Sequence, residues 1–229
     1  MEILQNGYTL ELCDGAFPLS TDSMALAYFA RLGKNAKVLD LGSGCGTLGL
    51  MLCAKDPSCH VTGVELNEDA HNMALQNIAR NALQARMASI CADLKTIPAC
   101  LPQGSFSVCI SNPPYFIGGK QRSGQENARH EVECSAEDVF SAAAWAMKYG
   151  GDFYLVHKPE RLGELMNLGS KYAMECKRLC LLRHSPETLP GVVLLAFRKG
   201  GKPGLKLEEI CLRDSTGEFS RAYREIYHI

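Results

Sequence analysis

The chain has 229 residues, 46% of them hydrophobic, and a formal net charge of −1. This length supports a sizeable core, and the near-neutral charge argues against a strongly basic nucleic-acid binder. No apolar run approaches the roughly 20 residues of a membrane span, and the segment after Met1 lacks the pattern of a signal peptide. We therefore expect a cytoplasmic protein without a membrane partner, and a monomer is favoured.

Strand and helix patterns alternate along the chain. Residues 1–20 are expected to form a short hairpin or an irregular arm, and Thr21 to Ser23 to begin a helix over 22–32. Strands are predicted near 37–41, 60–65, 86–91, 105–111, 151–157, 174–183 and 190–199, and helices near 47–55, 68–82, 135–148 and 159–172. Asn67 and Ser135 have the character of helix caps, and Gly150-Gly151 is expected to end the helix before the fifth strand.

This order predicts an α/β fold with a mostly parallel, seven-stranded sheet and helices on both faces. We expect a single domain over 1–229, with an N-terminal arm and helix at 1–35, a catalytic core at 36–200 and a C-terminal extension at 201–229.

A glycine-rich loop follows the first strand of this alternating region. The apolar run Val38 to Leu41 contains Asp40 and continues into Gly42-Ser43-Gly44-Cys45-Gly46 and then an apolar helix. The next strand ends in Glu65, nineteen residues past the last of these glycines. This arrangement is the fingerprint of nucleotide binding, in which glycines admit the ligand close to the backbone and the acid accepts hydrogen bonds from ribose hydroxyls.

The charge of the loop discriminates between nucleotides. A pyrophosphate favours bare amides, whereas Asp40 places a carboxylate two residues before the first glycine. The spacing Gly-x-Gly-x-Gly also departs from the dinucleotide pattern, whose third glycine comes three residues after the second. S-adenosylmethionine, which carries a sulfonium, an ammonium and a ribose but no phosphate, is therefore predicted in preference to a nicotinamide cofactor.

A second motif, Asn112-Pro113-Pro114-Tyr115, follows the apolar run Phe106 to Ser111. Two consecutive prolines cannot continue a strand ladder or start inside a helix, so the chain must leave the sheet in a stiff turn. Open α/β sheets bind their ligands at such strand ends. Taken alone, the motif also suits a proline-stiffened surface turn without a function.

Together the two motifs resemble those of class I methyltransferases. Asp40 to Gly46 is similar to their cofactor loop, and Asn112 to Tyr115 to the catalytic motif of the branch that methylates planar amines. The resemblance covers about residues 36 to 200 and implies a Rossmann-like fold with S-adenosyl-L-methionine as the cofactor. Cys91 to Leu94 resembles the segment whose acid, here Asp93, meets the cofactor's adenine.

The chemistry of an amine acceptor accounts for the catalytic motif, Asn112, Pro113, Pro114 and Tyr115. An exocyclic amine is a poor nucleophile because its lone pair is delocalised into the ring. The side-chain oxygen of Asn112 and the carbonyl of Pro113 are expected to accept its two hydrogens, which favours a tetrahedral nitrogen. Tyr115, with Phe116, is expected to stack on the acceptor, which must lie outside any helical stack. Positioning supplies the rest of the catalysis, so no metal is required.

A closer resemblance is to the bacterial tRNA adenine-N6 methyltransferases that modify position 37 of a valine tRNA. It rests on Phe17 to Ser23, on Asn112 to Phe116, on Asn127 to Glu131 and on Leu207 to Tyr227. It implies an N-methyltransferase of the adenine-N6 type that acts on tRNA. It also implies that Thr21 contacts the cofactor, because the stretch before the first strand closes over the cofactor in such families. The cofactor-binding residues predicted are Thr21, Asp40, Gly42, Ser43, Gly44, Gly46, Glu65, Leu66, Asp93, Leu94 and Asn112.

Other functions stay open. Glutamine-N5 methylation of a release factor uses the same turn, but those enzymes carry a helical substrate domain, and only some 36 residues precede the first core strand here. An rRNA guanine-N2 methyltransferase is a further alternative with a similar turn. A cofactor-binding RNA chaperone or assembly factor would keep the fold, although a pure binder has no need of the acceptor pair. DNA adenine methylation is disfavoured, since no further segment is present to read a duplex.

Two segments are candidates for contact with RNA. Residues 117–133 are polar and glycine-rich and form either a surface loop or a substrate lid. Residues 171–206 hold eight basic and two acidic residues, which predicts either a phosphate-binding surface or an ordinary solvated one. The substrate-binding residues predicted are Tyr115, Phe116, Lys120, Arg122, Arg129 and His130.

The eleven cysteines include no Cys-x-x-Cys pair, and no histidine completes a zinc set. We expect reduced thiols that serve as small core residues, and no metal site.

Overall fold

Eight strands form one mostly parallel sheet in the described part of the chain. The computed structural model describes residues 1–4, 7–15, 19–113 and 134–227. The strands of the sheet are β3 (Lys37–Leu41), β4 (His60–Glu65), β5 (Met87–Cys91), β6 (Phe106–Ser111), β7 (Met147–His157), β8 (Met174–Arg183), β9 (Val192–Lys199) and β10 (Lys206–Cys211), in the order β10-β8-β9-β7-β6-β3-β4-β5. Among them β9 alone is antiparallel to its neighbours. The arm forms a separate antiparallel pair, β1 (Glu2–Ile3) and β2 (Thr9–Leu10), which confirms the expected hairpin.

Helices lie on both faces of this sheet. They are α1 (Thr21–Phe29), α2 (Thr47–Lys55), α3 (Glu68–Arg80), α4 (Ile97–Cys100), α5 (Ala136–Ala146), α6 (Leu162–Lys171) and α7 (Arg221–Tyr227). The predicted caps of α3 and α5 are confirmed, since the Asn67 side chain accepts from a backbone N–H at 2.9 Å and Ser135 forms a capping box. The cap of α1 is Ser20 rather than the expected Thr21, and its Oγ accepts from the N–H of Ser23 at 3.2 Å. No helix of the described residues is both long and apolar enough to cross a membrane.

The core consists of two layers, one on each face of the sheet. One layer packs Leu26 of α1 and Leu50 of α2 against the strands. The other packs Phe140 of α5 edge-to-face against Phe153 and Phe197, each with ring centroids 5.2 Å apart. Burying a side chain of this size contributes about 1.5–3 kcal/mol. The two layers therefore hold the strands rigidly, so that the strand ends form a stable platform for a site.

The sheet has one strand more than predicted. The additional strand, β10, pairs in parallel with β8 at the edge of the sheet. None of its six residues is buried, and they include Lys206, Glu208 and Glu209, so the apolar pattern of a buried strand is missing from the sequence. Arg178 of β8 fixes the pairing, because its guanidinium donates two hydrogen bonds of 2.9 Å to the Glu208 carboxylate.

The prediction that Gly150-Gly151 ends a helix is wrong. The helix α5 ends at Ala146, and β7 begins at the next residue and includes both glycines. Gly150 has φ of +78°, and a Cβ on Gly151 would lie 3.0 Å from the carbonyl oxygen of Ser107. The glycines therefore allow an irregular start of β7 that runs close to β6.

Candidate active site

The carboxyl ends of β3 and β6 bring the two sequence motifs together. These strands are parallel neighbours, with Asp40 opposite Ile110. The buried hydroxyl of Ser111 donates to the carbonyl oxygen of Leu41 at 2.8 Å, which ties the last residues of the two strands together. The glycine loop and Asn112 therefore start side by side at one edge of the sheet, where such sheets bind their ligands.

The glycine loop adopts a backbone conformation that favours glycine. Gly42, Gly44 and Gly46 have φ of +73°, +53° and +87°, in the left-handed region. A Cβ on Gly42 or Gly44 would meet no atom of the described residues within 4 Å, so the space beside both residues is open. The N–H groups of Gly42 and Ser43 donate to the carbonyl oxygen of Val64 at 2.9 and 3.0 Å, which holds the loop against β4.

Glu65 joins the loop to the end of β4. Its two carboxylate oxygens accept from the N–H of Gly44 and the N–H of Asn67, each at 2.8 Å. Hydrogen bonds to a charged group contribute about 1.5–3 kcal/mol each. The residue is only half-buried, and each oxygen has a further lone pair, so Glu65 can also accept from hydroxyl groups of a ligand.

Asp40 and Ser43 carry buried polar atoms with no hydrogen-bond partner of normal geometry among the described residues. Asp40 is 1% exposed. Burial raises its pKa to about 7, the charge of Glu65 acts in the same direction, and the backbone N–H of Gly49 acts in the opposite one. Buried polar groups without partners cost about 1–3 kcal/mol each. An open cradle above an uncompensated acid fits a cationic ribonucleoside such as S-adenosylmethionine.

A buried asparagine braces the loop from the side of α3. Asn77 is fully buried, and its Nδ2 donates to the carbonyl oxygens of Cys45 at 3.0 Å and Glu11 at 2.8 Å. Its Oδ1 accepts from the N–H of Glu11 at 3.0 Å. The Sγ atoms of Cys13 and Cys45 lie 3.6 Å apart, so the arm packs directly on the loop. This role of Asn77 could not be predicted from the sequence, because an asparagine inside a helical pattern does not indicate a contact with a loop.

The remaining residues predicted to bind the cofactor lie at the ends of β4 and β5. Asp93 begins a short 3-10 turn, Leu94–Thr96, and its side chain accepts from a backbone N–H of that turn at 2.9 Å. Leu94 is 9% exposed and belongs to the core, whereas Leu66, directly after Glu65, is 51% exposed. The binding roles of these residues stay predictions.

Asn112 is held by α1, a contact that the sequence did not reveal. Its Nδ2 donates to Oγ of Ser23 at 2.8 Å, and Ser23 is 8% exposed. Thr21, predicted to contact the cofactor, shares a 2.5 Å hydrogen bond with the hydroxyl of Tyr227 in α7, and its role in cofactor binding stays a prediction. The helix start expected near Thr21 reaches the site through Ser23.

Several predicted residues lie outside the described residues, and their roles stay predictions. They are Pro114, Tyr115, Phe116, Lys120, Arg122, Arg129 and His130. The stretches Phe17-Pro18 and Asn127 to Glu131 also lie there.

The basic stretch at 171–206 finds acidic partners elsewhere in the fold. Ion pairs join Lys171 to Glu137, Arg178 to Glu208, Arg183 to Glu209 and Arg198 to Asp152. The Nζ of Lys199 donates to two backbone carbonyl oxygens. Because the acids come from outside the stretch, its local excess of positive charge in the sequence overstates its charge in space. This arrangement favours an ordinary solvated surface over a dedicated phosphate site.

Neither a metal site nor a disulfide is present in the described part of the chain. No group of three or more His, Cys, Asp or Glu side chains there is placed to hold a metal ion. The eleven cysteines are free thiols, and six of them are buried: Cys45, Cys53, Cys59, Cys109, Cys176 and Cys180.

The fold and the loop define a methyltransferase. The model of the family described as methyltransferase small domain matches residues 20–168, and the chain belongs to that family. It is an S-adenosyl-L-methionine-dependent methyltransferase with a Rossmann-like fold.

Similar proteins from three bacteria carry the name tRNA1(Val) (adenine(37)-N6)-methyltransferase. The one from Mannheimia succiniciproducens is 31% identical over 80% of this chain and 75% of its own. Those from Tolumonas auensis and Photobacterium profundum are 29% and 26% identical, each over 90% of this chain and over 86% and 87% of their own.

Solved structures share the fold at low sequence identity. A protein from Agrobacterium tumefaciens, described as a predicted O-methyltransferase, has a TM-score of 0.76 at 21% identity over 91% of this chain and 96% of its own. A geranyl diphosphate methyltransferase in complex with S-adenosylmethionine has a TM-score of 0.60 at 14% identity, over 77% and 84% of the two chains.

Proposed function

We propose that the protein transfers a methyl group from S-adenosyl-L-methionine to the N6 amine of adenine 37 in a valine tRNA. The proposal depends on one observation, that the glycine loop and Asn112 start side by side at the ends of β3 and β6. A donor on the loop and an amine on Asn112 are then neighbours across one edge of the sheet. Relatives of 25–31% identity that bear the name of this activity support the choice of substrate.

The residues around the loop have separate roles in holding the cofactor. S-adenosyl-L-methionine, when bound, supplies a methyl group activated on a sulfonium. Asp40 balances positive charge beneath the loop, and Glu65 accepts hydrogen bonds from ribose hydroxyls. Asp93 and the exposed side chain of Leu66 meet the adenine at the ends of β5 and β4. Gly44 lets the ligand approach the backbone.

Asn112 and Pro113 hold the acceptor amine. Because the nitrogen of the Asn112 carboxamide bonds to Ser23, its oxygen is at the opposite end of the planar group and points away from Ser23. That oxygen and the carbonyl of Pro113 accept the two hydrogens of the amine, and proline offers no N–H that would compete. Holding the amine in a near-attack geometry lowers the barrier by several kcal/mol. We propose stacking of the base on Tyr115 from the sequence motif alone.

Transfer of labelled methyl to defined transcripts tests the proposal. The matched substrates are an unmodified valine tRNA with adenine at position 37 and the same tRNA with guanine there. We expect N6-methyladenosine in the first, no label in the second, and a fall of at least about 100-fold in kcat for Asn112→Ala, with the cofactor Kd unchanged within twofold.

The other outcomes separate the alternatives. Label in rRNA or in a release factor would keep the methyltransferase and overturn the tRNA substrate. An Asn112→Ala variant with the wild-type rate would overturn the role of Asn112. Cofactor binding without transfer to RNA or protein would favour the RNA chaperone or assembly factor.

A further inference from the structure

The carboxamide of Asn112 has two unlike ends, and only one orientation suits an amine acceptor. Its oxygen accepts hydrogen bonds, whereas its nitrogen donates them. An exocyclic amine presents two N–H donors to this residue. A carboxamide rotated by a half turn would place donors against donors and lose the interaction. The site therefore requires a group that keeps Nδ2 turned away from the acceptor.

The hydroxyl of Ser23 occupies the position where such a group must be. Its Oγ lies 2.8 Å from Nδ2 of Asn112, and the residue is 8% exposed. The Oγ of Ser20 is a second donor to Ser23 Oγ, at the longer distance of 3.4 Å. Two donors thus converge on the lone pairs of one buried oxygen, and this favours the nitrogen over the oxygen of the carboxamide at that point.

The helix that carries Ser23 is anchored at both ends. At its start, Thr21 bonds to Tyr227 at 2.5 Å. Near its end, the Nζ of Lys55 donates to the backbone carbonyl oxygens of residues 27, 28 and 30 at 2.8, 2.9 and 2.6 Å. A site that is supported by a fixed helix is held more accurately than one that is supported by a loop. The position of Ser23 relative to β6 is therefore well defined.

We propose that Ser23 is a positioning residue for methyl transfer, whose hydroxyl keeps the Asn112 carboxamide with its oxygen toward the acceptor amine. The inference rests on the proposed function, since it requires Asn112 to receive the amine. Ser23 itself touches neither the amine nor the methyl donor in this role. Its loss should affect turnover rather than the binding of either substrate.

Three variants test the role of Ser23 by the division of the effect between kcat and KM. Ser23→Ala should lower kcat about tenfold, with the KM for tRNA and the cofactor Kd within twofold of wild type. Ser23→Thr keeps the hydroxyl and should recover most of the rate. Tyr28→Phe is the matched control on the same helix, because it removes the hydrogen bond to Glu225 but leaves the bonds of Ser23 to Ser20 and Asn112, and it should lower kcat less than threefold. A loss in Tyr28→Phe as large as in Ser23→Ala would overturn the inference.

The side-chain amide of Asn112 supplies a readout that does not depend on turnover. In ¹⁵N-labelled protein, its two N–H signals can be assigned by their loss in Asn112→Asp. In wild type and in Ser23→Thr, we expect the chemical shifts of both signals to differ from those of a mobile side-chain amide and their protons to be protected from exchange with water. In Ser23→Ala, we expect both signals to move to the chemical shifts of a mobile amide. Signals that are the same in wild type and Ser23→Ala would show that Ser23 does not orient the group.

The wild-type enzyme and Asn112→Ala together distinguish failure of this inference from failure of the proposed function. If the wild-type enzyme leaves adenine 37 unmethylated, the proposed function is wrong. If it methylates adenine 37 and Asn112→Ala keeps the rate, the role of Asn112 is wrong, and the inference about Ser23 is wrong with it. If Asn112→Ala is inactive while Ser23→Ala has the wild-type kcat and amide signals, Ser23 has no positioning role and the proposed function stands.

Discussion

Replacing Asp40 by Asn should have a more favourable effect on stability at pH 8 than at pH 5. Burial raises the pKa of this carboxyl from 3.8 to about 7. An acid whose pKa is higher in the folded state binds more protons when folded than when unfolded. Wild-type stability therefore falls as the pH rises from about 4 to about 7, and below pH 4 the effect vanishes. Asn has nearly the same shape and cannot ionise, so it escapes this cost.

The size of the effect follows from the two pKa values. The raised pKa of Asp40 lowers wild-type stability by about 2 kcal/mol at pH 5, where the folded protein keeps the proton that the unfolded chain releases, and by about 4 kcal/mol at pH 8. The buried N–H₂ of the new Asn adds a cost that does not depend on pH and so cancels in the comparison. The difference in unfolding free energy between variant and wild type should therefore grow by about 2 kcal/mol between the two pH values.

Urea denaturation at pH 5 and pH 8 measures this difference. Asp69→Asn is the matched control, since Asp69 is an exposed carboxylate in the first turn of α3, and the Asp40→Asn effect is compared with it at each pH. An Asp40→Asn effect that is equal at pH 5 and pH 8 would refute the reasoning.

Calorimetry with S-adenosylmethionine tests the functional side of the same carboxylate. Wild-type affinity should increase as the pH passes about 7, because the cationic ligand favours ionised Asp40. Asp40→Asn should bind more weakly at pH 8 and lack the increase. Wild-type affinity in this variant would reject the assignment of Asp40 to the cofactor site.

Two further substitutions test how the site is supported. Asn77→Ala removes three hydrogen bonds between the arm, α3 and the loop, so it should lower the unfolding free energy by about 3 kcal/mol and weaken cofactor binding in calorimetry. Asn81 holds the arm but not the loop, so Asn81→Ala should leave the cofactor Kd unchanged. Equal effects of the two variants on this Kd would contradict the role of Asn77. Lys55→Met leaves three carbonyl oxygens near the end of α1 without their donor and should cost about 2 kcal/mol in urea denaturation at pH 7. The control is Lys95→Met, because Lys95 forms only a partly exposed ion pair of 3.9 Å, and this variant should change stability by less than about 0.5 kcal/mol. A larger loss of stability in Lys95→Met than in Lys55→Met would refute the argument.

The parts of the site that are encoded in continuous segments were predictable from the sequence. The run from Val38 to Glu65 contains strand, glycine loop, helix and strand in one unit, and a right-handed crossover places its two strands side by side. The prolines after Asn112 marked the end of β6 for the same local reason. The glycine loop and the turn that begins at Asn112 therefore followed from residues close together in the chain.

Contacts between polar side chains of distant segments were not predictable in this way. Ser23 and Asn112 are 89 residues apart, and Asn77 and Cys45 are 32 apart; nothing near any of these residues in the sequence announces the partner. The edge strand β10 was missed because it is polar, and an edge strand needs no apolar face to pair. Gly150 was misread because a glycine after a helix pattern suits a helix end and an irregular strand start equally.

The bond between Thr21 and Tyr227 has a consequence for biosynthesis, because the two residues are 206 positions apart. On the ribosome, the glycine loop and β3 to β9 are all made before α7. Until α7 leaves the exit tunnel, the first turn of α1 lacks the partner that ties it down, and Asn112 lacks a firmly anchored Ser23. We therefore expect a nascent chain to complete the cofactor loop before the acceptor side, so that translation separates the formation of the two halves of the site in time.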